Sequence, residues 1–250
     1  MKIEKSWLYK LSNLTPLPLD LKEGVGGWII DIWDNIAVTL FDDINVSLNI
    51  NIWENSNVEF FWYFNSSIQC IENDGQCIDN CVQCTQNLIQ SKPWSKLNLR
   101  YMIYSDDKIN NKITINSEVL STNCSSDIKI LSIAWKDWNI DLDWIIKIWS
   151  WISWIKWRLI EENLFLWDSW KIKGIPTLLV ESNDVEASHA CKIERISDEK
   201  LFYLRSRWVW KDNALRMIIE AKILDLFKCL NMIDKPIFEE LTEKIIKNIK

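Results

Sequence analysis

The chain has 250 residues, of which 48% are hydrophobic and 26% charged, with a formal net charge of −6 at pH 7. This length and composition predict a large folded domain, and the negative charge argues against a nucleic-acid partner. No apolar run reaches about 18 residues, so no transmembrane segment is predicted. Residues 1–7 are too polar to begin a signal peptide, which indicates the cytoplasm, or an extracytoplasmic location if the start is truncated.

In chain order, the sequence predicts an extension over residues 1–44 and then one domain over residues 45–250. The first half of that domain alternates apolar and polar residues in strands and carries a polar, Cys-bearing loop before a helix that Asn80 caps and Pro93 stops. The elements predicted there are strands at 46–52, 58–64 and 97–104, a loop at 65–79 and a helix at 81–91.

The second half is predicted to begin with a helical block, an insertion over about residues 112–170. A strand at 178–180 and a hairpin over residues 191–207 follow. An amphipathic helix at 214–230 comes next, and a last helix starts near Asp234. The predicted fold class is therefore α/β.

Tryptophan is unusually common and glycine unusually rare, with 17 Trp and 5 Gly, whereas Gly is ordinarily about 7% of residues. Several Trp occupy positions where the sequence predicts turns, among them Trp94, Trp138 and Trp170. A Trp-rich binding surface is one interpretation, but exposed Trp at every turn would harm solubility. We therefore expect that the gene uses UGA as a glycine codon and that many printed Trp are Gly in the host.

Two short motifs suggest thiol chemistry. Cys81 and Cys84 form a C-x-x-C at the predicted start of a helix, which is typical of a redox pair when a strand precedes it. The second motif, Gly-Ile-Pro-Thr at residues 174–177, enters the predicted strand at 178–180. Their order along the chain, with predicted helices between them, indicates thiol–disulfide exchange.

These motifs give the chain a resemblance to the DsbA-like branch of the thioredoxin fold. Residues 58–63 resemble the strand that enters that family's active site, and residues 139–177 resemble its helical insertion and cis-proline loop. Trp138 and Trp170 stand where the family commonly has Gly. The resemblance implies a thioredoxin-like fold with a helical insertion between the second strand and the cis-proline strand. The chain departs from the family by an enlarged loop before its C-x-x-C.

The principal functional hypothesis is a thiol–disulfide oxidoreductase acting on protein thiols or disulfides. A helix N-terminus lowers the pKa of a thiol, so Cys81 would attack and Cys84 would resolve the mixed disulfide. The resemblance implies that Glu59 lies near the pair, and Pro176 would hold the opposing loop, where Ile175 and Thr177 would contact the substrate chain. No cofactor is expected, and the oligomeric state is left open.

The alternative hypothesis is a catalytically inactive thioredoxin-like binding module. In that case the cysteines would be structural or would bind zinc. Cys70, Cys77, Cys81 and Cys84 supply the four thiolates of a tetrahedral site, and a disulfide between Cys70 and Cys77 is also possible. His189, the single histidine, is interpreted as a surface residue, and no role is assigned to the isolated cysteines, Cys191 among them.

Overall fold

The computed structural model describes residues 2–3, 8–10, 28–32, 37–42, 48–65, 81–105, 110–134, 139–165 and 171–248. Most of these residues lie in β-strands, and the helices come at the end. The strands are β1 (Lys2–Ile3), β2 (Leu8–Lys10), β3 (Trp28–Ile32), β4 (Ala37–Asp42), β5 (Leu48–Ile52), β6 (Asn57–Asn65), β7 (Cys81–Gln90), β8 (Lys96–Ser105), β9 (Asn110–Val119), β10 (Ser125–Ala134), β11 (Asn139–Ile148), β12 (Ile155–Phe165), β13 (Lys171–Val180) and β14 (Val185–Arg195). The helices are α1 (Asp198–Arg205), α2 (Lys211–Leu226), α3 (Lys228–Ile233) and α4 (Lys235–Asn248).

The strands form two seven-stranded sheets. One sheet holds the odd-numbered strands in chain order and the other holds the even-numbered strands, so the chain changes sheet after every strand. Neighbouring strands within each sheet pair in parallel. Two successive strands thus make one coil, and the coils stack into a parallel β-solenoid.

Alternating side chains explain why these segments form strands. In β5 the burial alternates along Leu-Asn-Ile-Asn-Ile, with the Leu and Ile side chains buried between the sheets. The same alternation places Ile113 and Ile115 of β9, and Leu142 and Ile146 of β11, in one continuous core. Isoleucine is β-branched and fits a pleated, half-buried surface. The interior of the solenoid is therefore its hydrophobic core.

The helices cover part of the outer face of the even-strand sheet. Near the carboxyl ends of its strands, Phe61, Tyr63, Met102 and Tyr104 are buried on that outer face. They form a second apolar cluster with helical residues such as Ile219. This explains the nearly continuous apolar run at residues 58–64, whose end is buried on both faces of the sheet.

The predicted thioredoxin-like α/β fold is wrong. The helical insertion expected over about residues 112–170 consists of strands β9 to β12 where it is described, and the helix expected at 81–91 is strand β7. The period-two alternation of isoleucine outweighs the helical interpretation in these segments. Strands predicted at 46–52, 58–64 and 97–104 are present, and so are the last two helical regions, whereas residues 201–205 are helical instead of the second arm of a hairpin. The division at residues 44 and 45 stays a prediction.

Candidate functional site at the open end of the solenoid

The solenoid ends at strands β13 and β14, which are the edge strands of the two sheets at this end. Among the described residues neither strand pairs with a further strand on its outer side. Side chains that face the interior by their register are therefore uncovered: Leu178 and Val180 are each 39% exposed, and Ile193 is 70% exposed. We call this surface the open end.

A buried carboxylate and amide lie just inside the open end. Glu161 and Asn163 alternate with outward-facing residues along β12, so both point inward, and they are 1% and 2% exposed. The Asn163 Nδ2 atom donates a hydrogen bond to Glu161 Oε1 at 2.7 Å. Burial of a polar side chain is costly unless it is hydrogen-bonded, and this hydrogen bond offsets part of that cost.

Strand β14 brings a histidine and a cysteine to the same place. Leu159 pairs with His189 and Glu161 with Cys191, so the two β14 residues face inward beside the carboxylate. The His189 Nε2 atom lies 3.9 Å from Glu161 Oε2. The Cys191 Sγ atom lies 3.7 Å from Asn163 Nδ2. Glu161, Asn163, His189 and Cys191 together are called the terminal group.

Strand β13, in the other sheet, faces the terminal group and leaves room for the Glu161 side chain. Gly174 faces the terminal group, and a Cβ atom added to it would lie 3.0 Å from Glu161 Oε1. A larger side chain there would collide with the carboxylate. Glycine at this position leaves room for the Glu161 carboxylate, which would have to shift by a few tenths of an ångström to admit a Cβ atom.

The electrostatics of the terminal group favour a protonated thiol. Burial raises the pKa of the Cys191 thiol, and the nearby Glu161 carboxylate raises that pKa further, against a hydrogen bond from Asn163. Two polar atoms of the group, His189 Nε2 and Asn163 Oδ1, are buried without a hydrogen-bond partner in the described part of the chain. The group is thus able to accept further polar contacts.

The donor types of the terminal group match iron chemistry. Thiolate, imidazole and carboxylate are all ligands for iron in proteins. Within the described ranges, no set of three His, Cys, Asp or Glu residues stands close enough to hold a metal ion. Any metal here would need small side-chain movements or ligands from another molecule.

The structure places the predicted redox pair elsewhere. Cys81 begins strand β7 rather than a helix, and pairs with Asn110 of β9. Cys84 is 1% exposed and belongs to the apolar core of the solenoid. The proposed lowering of the Cys81 pKa by a helix N-terminus therefore loses its physical basis.

Glu59 and the 175–177 segment do not converge on that pair. Glu59 lies on β6 in the even-strand sheet, where Asn98 Nδ2 donates to its Oε1 at 2.6 Å and burial raises its pKa. Ile175, Pro176 and Thr177 lie within β13 of the odd-strand sheet. Three strand spacings, roughly 14 Å, separate β13 from β7. The expected active-site loop is an edge strand.

The zinc hypothesis stays a prediction. Cys70 and Cys77 lie outside the described residues, and Cys81 is described only by its backbone. The expectation that His189 is a surface residue fails, since its side chain is 20% exposed and points toward Glu161. Sequence analysis missed the terminal group, although the H-x-C spacing of His189 and Cys191 on one face of a strand was a usable signal.

The fold defines the class of this protein as a parallel β-solenoid with polar side chains at its open end. A family model described as "SUF system FeS cluster assembly, SufBD core domain" matches residues 69–222. That is more than half of the chain, which therefore belongs to the SufBD core-domain family. The match includes every residue of the terminal group.

Individual relatives support the same assignment. The iron–sulfur cluster assembly protein SufD of Escherichia coli K12 is 34% identical over 73 residues, which are 29% of this chain and 17% of that protein. A SufBD family protein of Mycobacterium leprae is 36% identical over 63 residues, 25% of this chain and 16% of that protein. One from Mycobacterium tuberculosis H37Rv is 38% identical over 63 residues, with the same coverage of 25% and 16%. The matches thus span about one sixth of each relative.

These findings correct the functional interpretation. The resemblance to DsbA-like proteins is wrong, and with it the oxidoreductase hypothesis and the alternative of an inactive thioredoxin-like module. Protein thiols or disulfides are likewise not the partners that the family indicates. Among the described helices, none is long and apolar enough to cross a membrane.

Proposed function

We propose that this chain acts in iron–sulfur cluster assembly as a SufBD-type β-solenoid. The observation that supports this proposal is the family match over residues 69–222, which covers strands β7 to β14 together with the terminal group. Relatives named for iron–sulfur cluster assembly share sequence with this chain.

The terminal group is the proposed contact for the nascent cluster, which is substrate rather than a resident cofactor. Cys191 supplies sulfur, His189 supplies an imidazole nitrogen and Glu161 supplies carboxylate oxygen. Metal binding requires the thiolate, so the raised pKa of Cys191 must be overcome by the positive charge of iron. The Glu161 charge that opposes the free thiolate would then be balanced by the metal.

A partner is expected to complete this site. Iron–sulfur clusters in proteins are commonly held by four ligands, and the terminal group has only one thiol. The open end presents unpaired strand edges and the uncovered apolar side chains of Leu178, Val180 and Ile193. Exposed edges of this kind favour pairing with another sheet. We expect a second SufBD-type solenoid to cover the open end, so that the cluster is assembled at the junction.

The test is anaerobic reconstitution of the full chain with ferrous iron and sulfide, followed by iron and sulfide analysis and visible absorption. Cys191→Ser should lower the bound iron at least tenfold. Cys229→Ser, which changes a half-buried thiol in α3, should bind as the unchanged chain does. Equal iron content in both variants would contradict the role of the terminal group.

The partner is tested separately. Mixing the chain with a SufBD-type partner from the same host should give a complex of defined mass, measured by light scattering. Ile193→Lys at the open end should abolish that complex, whereas Ile233→Lys on α3 should leave it intact, since both residues are exposed but on different surfaces. An unaffected complex in the Ile193 variant would exclude the open end as the interface.

A further inference from the structure

Three tryptophans have a backbone conformation that tryptophan rarely adopts. The φ angles of Trp94, Trp154 and Trp208 are 61°, 59° and 66°. These values lie in the left-handed region, where Cβ crowds the following carbonyl oxygen. A bulky residue there is an outlier, whereas glycine adopts the region without steric penalty.

Two of these residues occupy one repeated corner of the solenoid. Strand pairing aligns Asn57, Lys96, Ser125 and Lys156 of four successive even-numbered strands. Two residues before each of them come the corner residues, and all four have positive φ: Asn55 (52°), Trp94 (61°), Asn123 (57°) and Trp154 (59°). Asparagine is the residue other than glycine that tolerates this conformation best. The corner therefore selects Asn or Gly, and Trp is out of place.

Hydrogen bonds between coils hold the corner in this geometry. The backbone N–H of Asn55 donates to the carbonyl of Pro93 at 3.0 Å, and that of Asn123 donates to the carbonyl of Ser153 at 3.1 Å. Between them, the N–H of Trp94 donates to the carbonyl of Thr122 at 3.3 Å. Since each corner is tied to the next coil, a residue that disfavours the conformation cannot relax away from it without breaking the ladder.

The third residue ends helix α1. The N–H of Trp208 donates to the carbonyl of Arg205 at 3.0 Å, and the N–H of Val209 donates to the carbonyl of Leu204 at 3.2 Å. This pair of bonds, with a left-handed residue between helix and exit, is the Schellman motif. Val209 and Leu204 also pack together against the same apolar cluster. Glycine is the residue usually found at the position of Trp208.

The three indoles gain little burial in return. Trp94 is 57% exposed, Trp154 is 70% exposed and Trp208 is 94% exposed. Large exposed apolar side chains reduce solubility and contribute little to folding. Trp62 is a contrasting case, because it is fully buried in strand β6 and stacks on Tyr101 with ring centroids 4.3 Å apart.

We propose that residues 94, 154 and 208 are glycine in the protein that its own host makes, because UGA is read there as glycine. The inference goes beyond the proposed function; it adds a backbone reason at residue 94, which the sequence already placed at a turn, and it identifies residues 154 and 208, which the sequence did not single out. It also bears on recognition, since the exposed indoles at these positions would not belong to any natural binding surface.

The direct test is peptide mass spectrometry on the protein isolated from its host. Peptides covering residues 94, 154 and 208 should have the mass expected for glycine at each position. Tryptophan masses at these positions would overturn the proposal.

An independent test uses the chain expressed from a gene in which UGG codons place tryptophan at residues 94, 154 and 208. Trp94→Gly, Trp154→Gly and Trp208→Gly should each raise the Tm by about 2–4 °C, because the strained backbone is relieved. Trp62→Gly is the matched control, and it should lower the Tm or prevent folding by opening a cavity in the core. Falls in Tm in the three corner and cap variants that are comparable to that of the control would also overturn the proposal.

Discussion

The polar group around Gln90 in the middle coils differs from the terminal group at the open end. Gln90 is 1% exposed, and its Nε2 donates to the Ser95 carbonyl at 3.0 Å while its Oε1 accepts from Ser126 Oγ at 2.6 Å. At the open end, His189 Nε2 and Asn163 Oδ1 are buried without such partners in the described structure. A satisfied buried network stabilises a fold, whereas an unsatisfied one is a candidate for binding. Single polar atoms without a hydrogen-bond partner also occur in the middle coils, at Ser117 Oγ and Ser132 Oγ. The open end is distinguished by having two such atoms within one group that also holds a thiol and a carboxylate.

The largest effect is expected from breaking the satisfied network. Gln90→Ala would leave the Ser126 hydroxyl without its acceptor and would remove the amide hydrogen bonds to the carbonyl groups of Ser95 and Ser125. The Ser95 carbonyl would keep the backbone N–H of Ser125 at 3.0 Å. The free energy of unfolding should fall by about 2–3 kcal/mol, as measured by urea denaturation. Asn163→Ala is the matched change at the open end; it removes a single donor to Glu161 and should cost about 1–2 kcal/mol, less than the Gln90 change. Equal losses would remove the distinction between the two interiors.

A smaller effect is expected from the charges that fasten helix α2 to strand β14. Lys222 Nζ lies 2.9 Å from Glu162 Oε2 and 3.0 Å from Glu194 Oε2, and Lys192 Nζ lies 2.7 Å from Glu194 Oε2. Hydrogen bonds from Lys192, Lys200 and Lys222 hold the pKa of Glu194 well below its ordinary value. The Glu194 side chain is only 15% exposed, so solvent screens these contacts little.

The pH dependence of this contact follows from the lowered pKa. In the unfolded chain the pKa of Glu194 is about 4.3, whereas the folded chain keeps this carboxylate charged to lower pH. Its stabilisation is present above that value and is lost as the pH falls toward the folded pKa. Glu194→Gln should therefore lower the free energy of unfolding at pH 7 by about 1–2 kcal/mol and flatten its decline below about pH 5. The measurement is urea denaturation across pH, with the exposed Glu239→Gln as control. An unchanged acid slope would contradict the assignment.

The strands in the middle of the solenoid and those toward its end also differ in how well they could be predicted from the sequence. The strands at 46–52 and 97–104 were predictable because apolar and polar residues alternate there. The described strands within residues 112–165 follow the same alternation, but the printed Trp residues at 151 and 154 obscured the turn that separates β11 from β12. The C-x-x-C of Cys81 and Cys84 misled, because a spacing of three residues does not distinguish a helix from a strand.

The terminal group could not be assembled from sequence spacing alone. Glu161 and Cys191 are thirty residues apart and meet only because β12 and β14 are neighbours in one sheet. That adjacency depends on the number of residues per coil, which sets the register. Once the coil repeat is known, a glutamate at an inward position of β12 and a histidine and cysteine two residues apart on β14 identify the site.

A substitution that fills the space at the open end should weaken iron binding more than it lowers the free energy of unfolding. Gly174→Ala would place a Cβ atom 3.0 Å from Glu161 Oε1 and push the carboxylate aside. We expect iron binding in reconstitution to weaken about three- to tenfold, while the free energy of unfolding changes by less than about 1 kcal/mol. Thr177→Ala, at an exposed position on the same strand, should change neither quantity. Unaltered iron binding in the Gly174 variant would show that Glu161 is free to move.

The smallest effect concerns the thiol itself. Burial and then the Glu161 charge raise the pKa of Cys191, so the folded protein should react slowly with iodoacetamide at pH 8. Glu161→Gln removes the negative charge and lowers that pKa, which increases the thiolate fraction at a fixed pH. The alkylation rate at Cys191 is followed by mass spectrometry between pH 7 and 10. In Glu161→Gln it should be about two- to threefold faster than in the unchanged chain at pH 8, and the two rates should become equal above the pKa of Cys191 in the folded protein. Glu162→Gln, one residue away on the outer face, is the control. If the alkylation rate of Cys191 does not change in the Glu161 variant, the two side chains do not interact electrostatically. Cys191 would then not belong to the terminal group.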